Sequence, residues 1–131
     1  MMEKDDGLYY IVAGDEMQKL MRSKFPNRQT IPFREDFSKG GYCGFSFDES
    51  FVSNRAAFWG VSKSDYLEKL SPIAGLDITK NYVLCFGEDE CCKANLAFAI
   101  GYLKNKGYEK AIKVQILNEY NLDLIKEYSA D

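Results

Sequence analysis

The same local pattern occurs twice in this chain: an apolar run, a glycine, acidic residues and then apolar residues at helical spacing. The first copy lies at residues 9–16 (YYIVAGDE) and the second at residues 83–90 (VLCFGEDE). A short apolar run that ends at glycine is typical of a buried strand, and the pattern after it is typical of a helix. Two such units predict an open α/β sheet, in which ligands usually bind at the carboxyl ends of the strands.

Apolar periodicity in the rest of the chain predicts strands and helices that alternate along the sequence. Strands are predicted at residues 8–13, 29–33, 82–86 and 111–117, and the last is expected nearer an edge because its apolar residues alternate. Helices are predicted at residues 15–25, 48–60, 62–71, 89–104 and, in the tail, 121–128. Asp15 and Ser62 are expected to cap two helices at their N-termini, and Pro72 is expected beyond the end of one.

This order of elements predicts an α/β fold with a small open, mainly parallel sheet of about four strands and helices on both faces, a Rossmann-like three-layer arrangement. The chain has 131 residues, a length that fits a single α/β domain over residues 1–131. Hydrophobic residues make up 46% of the chain, which is enough apolar material for a packed core.

Charge and composition exclude several classes of function. The net charge is −3 and the basic residues are scattered, so the chain lacks the electrostatic footprint of a nucleic-acid-binding protein. Histidine is absent, which excludes Ser–His and Cys–His nucleophiles and removes the commonest metal ligand. The N-terminus is polar and acidic, and no apolar run reaches the length of a membrane span. We therefore expect a cytoplasmic protein with no membrane or nucleic-acid partner.

The four cysteines are expected to be free thiols, as is usual in the cytosol. Cys91 and Cys92 are adjacent, which suits neither a zinc knuckle nor a disulfide. Apolar neighbours predict that Cys85 and Cys92 are buried, reduced and metal-free. Cys91 at a helix N-terminus could be an activated thiol, but the acids beside it oppose the loss of its proton. We predict no catalytic residue, no metal site and no cofactor.

Polar residues follow the first three predicted strands, and a parallel sheet would bring them to one rim. These residues are Gly14, Asp15, Arg34, Glu35, Asp36, Gly87, Glu88 and Asp89. Carboxylates in such a position can bind cations or act as acid–base groups, and an arginine recognises phosphate or carboxylate. The alternative is that the acids only cap helices and stabilise helix dipoles. Residues 87–89 lack the glycine spacing of a dinucleotide-binding loop, and the glycine loop at residues 39–41 lacks the lysine–hydroxyl ending of a P-loop.

Arg55 lies between Phe51 and Phe58 on an otherwise apolar face of a predicted helix. An unpaired guanidinium on a buried face is costly, so Arg55 is predicted to pair with an acid from another segment. The predicted partners are Asp15, Asp36 and Asp89. Five aromatic residues could form a wall for a ligand ring, but we expect them in the core. They are Tyr42, Phe45, Phe47, Phe58 and Trp59.

Three segments, in order, resemble the bacterial family called domain of unknown function 1835. They are residues 11–15 (IVAGD), 31–40 (IPFREDFSKG) and 84–89 (LCFGED), followed by Asn95 and Leu96. The resemblance covers nearly the whole chain and implies a small α/β domain with a polar site at the strand ends. It brings no established activity. The family pattern falls on Gly14, Asp15, Arg34, Asp36, Ser38, Gly40, Arg55, Gly87, Asp89 and Asn95.

The chain departs from the family pattern at two positions. Cys85 stands where the family often has tryptophan or another large residue, and Glu88 stands where it often has proline or a hydrophobic residue. Longer relatives carry a second, C-terminal domain, so the chain resembles the N-terminal-type domain only. Another chain could supply that second domain.

The favoured hypothesis is a non-catalytic binding or regulatory module that holds an unknown small polar ligand, or a protein partner, at the rim. Its expected ligand-binding residues are Gly14, Asp15, Arg34, Asp36, Arg55, Gly87, Asp89 and Asn95. One alternative is an enzyme of nucleotide or phosphoryl chemistry, with Asp15, Asp36 and Asp89 around a divalent ion. Another is an inhibitor from a phage or mobile element that meets a basic protein partner through its acidic surface.

Overall fold

The computed structural model describes residues 7–130, which contain a five-stranded sheet. The strands are β1 (Leu8–Val12), β2 (Gln29–Pro32), β3 (Asn81–Phe86), β4 (Lys113–Leu117) and β5 (Leu124–Ser129). In space they lie in the order β2-β1-β3-β4-β5. The pairs β1–β2, β1–β3 and β3–β4 are parallel, which confirms the predicted α/β fold with a mainly parallel sheet.

Within these residues, four helices connect the parallel strands and divide between the two faces of the sheet. They are α1 (Gly14–Lys24), α2 (Glu49–Trp59), α3 (Lys63–Ala74) and α4 (Glu90–Asn105). On one face, Met17 and Met21 of α1 join a core cluster with Val12 and Cys85. On the other face, α2, α3 and α4 join a larger cluster around Phe98. None of the helices in this part of the chain has the length and apolar composition of a membrane span.

Aromatic packing holds the segment between β2 and α2 against α4. The ring of Phe98 is fully buried and stacks on Phe37, with ring centroids 4.1 Å apart, and on Tyr102, with centroids 5.8 Å apart. Phe33 packs edge-on against Phe86 at 5.7 Å. Each such pair contributes about 0.5–1.5 kcal/mol beyond the burial of its surface. The chain just after β2 is therefore fixed to the core rather than free to move as an open loop.

The tail forms a strand, so the predicted helix over residues 121–128 is wrong. Residues 124–129 form β5, which pairs antiparallel with β4 after a turn in which the Asn118 side chain accepts hydrogen bonds from two backbone N–H groups. All of β5 is exposed, so this segment buries no apolar helical face. Its β-branched and aromatic residues favour pairing with a strand. β4 is consequently an inner strand that lies next to the edge strand β5.

Two helix boundaries differ from prediction. α1 begins at Gly14 after Ala13, and Asp15 lies in its first turn instead of capping it. Pro72 lies inside α3 rather than beyond it, at the expense of one backbone hydrogen bond. The predicted cap at Ser62 is confirmed, since its hydroxyl oxygen accepts a hydrogen bond of 3.1 Å from the backbone N–H of Asp65.

Candidate functional site

A cleft of about 460 Å³ lies at the carboxyl ends of the parallel strands. β2 pairs with one edge of β1, and β3 pairs with the other edge. The strand order therefore reverses between β1 and β3. Ligands of open α/β sheets bind at such a point of reversal. The charged groups that line the cleft are Asp15, Glu16, Arg34, Glu35, Asp36, Lys69, Asp89 and Glu119.

The carboxylate of Glu35 is the centre of the hydrogen-bond network behind one wall of the cleft. Arg55 donates to it through Nε at 2.9 Å and Nη2 at 2.8 Å, and both side chains are only 1% exposed. The indole N–H of Trp59 (2.9 Å) and the hydroxyl of Tyr66 (2.6 Å) also donate to it. Burial alone would raise the pKa of Glu35, but the hydrogen bonds from Arg55 and Tyr66 outweigh that effect and lower it.

Arg55 does pair with an acid from another segment, but none of the three predicted partners is the right one. Its partner is Glu35, and its remaining N–H groups donate to the backbone carbonyls of Lys39 (2.7 Å), Gly41 (2.9 Å) and Asp36 (3.1 Å). A guanidinium has five N–H donors, and all five are used within the protein. The geometry gives Arg55 a role in holding residues 35–41 in place, with no donor left for a ligand.

Asn95 ties the same wall to α4. Its side chain is buried, its Nδ2 donates to the backbone carbonyl of Glu35 at 2.6 Å, and its Oδ1 accepts from the backbone N–H of Phe37 at 2.9 Å. Cys91 lies one turn before Asn95, with its sulfur 4.0 Å from the same Glu35 carbonyl. Burial and the nearby Asp36 raise the pKa of the Cys91 thiol to about 11, so it remains protonated and is a poor nucleophile.

An exposed ion pair lies where β1 and β2 end. Arg34 Nε is 2.8 Å from Asp15 Oδ1, and the side chains are 34% and 66% exposed. Asp15 stands in the first turn of α1, which begins at Gly14 in the left-handed region (φ 84°) and has no side-chain cap. The pair uses the Nε of Arg34, so the two Nη groups of the guanidinium are not needed for it.

A pair of carboxyl groups lies at the opposite end of the cleft, after β3 and β4. Asp89 caps α4 by accepting a hydrogen bond of 2.7 Å from the backbone N–H of Cys92. A hydrogen bond between Asp89 and Glu119 lowers the pKa of Asp89 and raises that of Glu119, so Glu119 binds a proton more readily than Asp89 does. Their oxygens and the Cys92 sulfur all lie within 4.8 Å of one another. Burial raises the pKa of the Cys92 thiol to about 12, which disfavours its thiolate as a metal ligand.

The structure brings six of the eight predicted ligand-binding residues to the cleft. These are Gly14, Asp15, Arg34, Asp36, Asp89 and Asn95. Arg55 lies behind the wall, and Gly87 lies against the side chain of Glu119, outside the lining. Within residues 7–130, Asp15 and Asp36 belong to no group of metal-ligating atoms within 4.8 Å of one another, so the three aspartates of the metal hypothesis do not meet around one ion.

Three contributors to the cleft were not predicted, and one of them had a usable sequence signal. Glu119 follows β4 just as Asp89 follows β3, so the strand-end rule would have found it if applied to the fourth strand. Trp59 and Lys69 come from α2 and α3, and their approach depends on how those helices pack. The prediction of aromatic core residues is wrong for Tyr42, Phe45, Phe58 and Trp59, which are 37–48% exposed, while Phe47 packs against the core.

Cys85 and Cys92 are buried, as predicted, and all four cysteines are free. Burial raises the pKa of the Cys85 thiol to about 12. That both stay reduced and metal-free in solution remains a prediction.

Comparison with known proteins finds no matching protein-family model, no matching curated protein and no matching solved structure. The resemblance to domain of unknown function 1835 therefore stays a prediction, and the candidate site rests on its own geometry.

Proposed function

We propose that this domain is a non-catalytic binding module that holds a small polar ligand in the cleft at the strand ends. The observation that carries the proposal is the contrast between the wall and the groups in front of it. The wall is held by hydrogen bonds from Arg55 to the Glu35 carboxylate and to the backbone after β2, and from Asn95 to the Glu35 carbonyl. Arg34, Lys69, Asp89 and Glu119 line an open volume of about 460 Å³, within the usual range of about 300–1,000 Å³ for ligand pockets.

Two further observations favour binding over chemistry. The Cys91 thiol has a pKa raised to about 11, which makes a covalent thiol mechanism unfavourable near neutral pH. The aspartates that a metal-assisted phosphoryl reaction would need do not gather around one position in the part of the chain described. A rigid wall that faces accessible charged groups is what recognition requires, because the ligand then meets little ordering cost.

A thermal-shift screen tests this proposal. The panel contains amino acids, amines, carboxylic acids, sugars, nucleosides and nucleotides, and it is applied to the wild type, Arg34→Gln and Lys104→Gln. Lys104 is exposed on α4 and does not line the cleft, so its variant is the matched control. A ligand that binds the folded state raises the melting temperature. We expect at least one class of compound to do so in the wild type and the control but less in Arg34→Gln. A panel with no such compound would overturn the proposal.

A further inference from the structure

The sheet order gives the cleft opposite charges at its two ends. Arg34 follows β2, and Lys69 of α3 lines the cleft near it, as shown by a smaller pocket that both residues share with Trp59. Asp89 follows β3 and Glu119 follows β4, on the other side of β1. The other acids of the lining are Glu16, which forms no described ion pair, and Asp15, Glu35 and Asp36, which pair with Arg34, Arg55 and Lys39 in that order. A ligand that spans the cleft therefore meets basic groups at one end and acidic groups at the other.

The acidic end has no ion-pair partner among the described residues, and the basic end is neutralised only in part. Within residues 7–130, Lys69 forms no ion pair, and Arg34 meets Asp15 through Nε alone. At the acidic end, no basic residue lies against Asp89 or Glu119 among the described ion pairs, and one carboxylate oxygen of each lies within 4.8 Å of the other. Glu88 lines an adjacent pocket with them and adds to the negative charge. A cation bound between these two carboxylates would relieve the repulsion between their charges.

We infer that the cleft takes a small zwitterion whose carboxylate binds Arg34 and Lys69 and whose distal ammonium binds between Asp89 and Glu119. This inference rests on the proposed function and names its ligand class. An arginine fork matches a carboxylate in two-point geometry, and an ammonium offers three donors to a pair of carboxylates. Trp59 lies beside the basic end with its indole fixed by Glu35, where it contacts the apolar part of the ligand.

Strand spacing limits the length of this ligand. Adjacent strands lie about 4.8 Å apart, so β2 lies about 10 Å from β3 and about 14 Å from β4. A contact of about 2.8 Å at each end leaves about 4–9 Å between the two charges of the ligand. In an α-amino acid the two charged groups are attached to the same carbon, so they lie too close together to reach both ends of the cleft. ε-Aminocaproate and the distal ammonium of lysine have the required separation.

Isothermal titration calorimetry with three matched compounds tests the inference. ε-Aminocaproate carries both charges, caproate only the anion and hexylamine only the cation. We expect ε-aminocaproate to bind at least about tenfold more tightly than either of the others. Undetectable binding of ε-aminocaproate, or equal affinity for caproate or hexylamine, would overturn the inference.

Two variants assign the ends separately. Arg34→Gln should weaken the binding of ε-aminocaproate and of caproate about tenfold and leave the binding of hexylamine unchanged. Glu119→Gln should weaken the binding of ε-aminocaproate and of hexylamine about tenfold and leave the binding of caproate unchanged. Lys69→Gln repeats the test at the basic end with a side chain that makes no ion pair in the described residues, and Lys104→Gln is the control. If ε-aminocaproate fails but another compound of the screening panel depends on Arg34, the cleft is a binding site and only the zwitterion assignment is wrong. If nothing depends on Arg34, both proposals fail.

Discussion

Arg55 and Glu35 form a two-point ion pair in which Nε and Nη2 of the guanidinium lie 2.9 and 2.8 Å from the two carboxylate oxygens, with both side chains 1% exposed. A buried pair of this kind is kept in place by its other partners as much as by the attraction between its charges. Here those partners are the Trp59 indole, the Tyr66 hydroxyl and the backbone of residues 36–41. The pair therefore determines the shape of the cleft wall.

Arg55→Leu should lower the free energy of unfolding by about 3–5 kcal/mol, because it leaves the Glu35 carboxylate buried without a counter-charge. Urea denaturation monitored by circular dichroism measures the change. Arg34→Leu is the matched control: its ion pair with Asp15 is exposed, so its loss should cost less than about 1 kcal/mol. Equal losses for the two variants would contradict the structural role given to Arg55.

Acidification should weaken the fold through Glu35. Its pKa in the folded state lies below the usual 4.5, so the ionised form stabilises the protein above pH 4.5, and this stability is lost as pH falls through the folded-state pKa. Thermal melts of the wild type should therefore fall steeply below pH 4.5. Glu35→Gln, which cannot ionise, should be less stable near neutral pH and should show a flatter profile in that range. Parallel profiles would show that Glu35 is not the group responsible.

Glu119→Gln should stabilise the protein near neutral pH by about 1 kcal/mol or less, because the raised pKa of Glu119 means that its ionised form is disfavoured beside Asp89. A glutamine side chain is neutral and can donate an N–H to Asp89. The sign follows from the direction of the shift: protonated Glu119 stabilises the fold at low pH, and that contribution is lost as pH rises through its folded-state pKa. The difference in melting temperature between variant and wild type should therefore shrink on acidification. A difference that is constant with pH would contradict the raised pKa of Glu119.

Thiol labelling under native conditions should show one fast cysteine. Cys43 is exposed, whereas Cys85 and Cys92 are buried with thiol pKa values raised to about 12, and the thiol pKa of half-buried Cys91 is raised to about 11. Reaction with a chromogenic disulfide should give one fast equivalent that Cys43→Ser removes, and the remaining thiols should react at the same slow rate in both proteins. Fast labelling of the variant would show that the buried thiols open readily.

Much of the fold could be predicted because the central strands are nearly uninterrupted apolar runs that end at glycine. The segments around Ile11 and Leu84 are of this kind, and both lie in the middle of the sheet. The tail was misassigned because its six exposed residues have neither a clear helical nor a clear strand period, and pairing with β4 decides their conformation.

The site was predictable in position but not in detail. Parallel strands bring their ends to one rim, which is why Asp15, Arg34 and Asp89 were found. The partner of Arg55 was not found because the choice between Glu35 and Asp36 depends on how the chain turns after β2, and adjacent residues point in different directions there. Long-range packing of Phe37 on Phe98 fixes that turn, and no local pattern in the sequence encodes it.

The bonds of Asn95 and Arg55 to the chain after β2 have a mechanical consequence. One wall of the cleft is fastened to α4 through Asn95 and to α2 through Arg55, while β2 joins it to the sheet. A displacement of either helix relative to the sheet must therefore stretch these hydrogen bonds or carry residues 35–41 with it. A ligand that displaces this wall would therefore also displace α2 and α4. We expect ligand binding in the cleft to change the rate of amide hydrogen exchange along both helices.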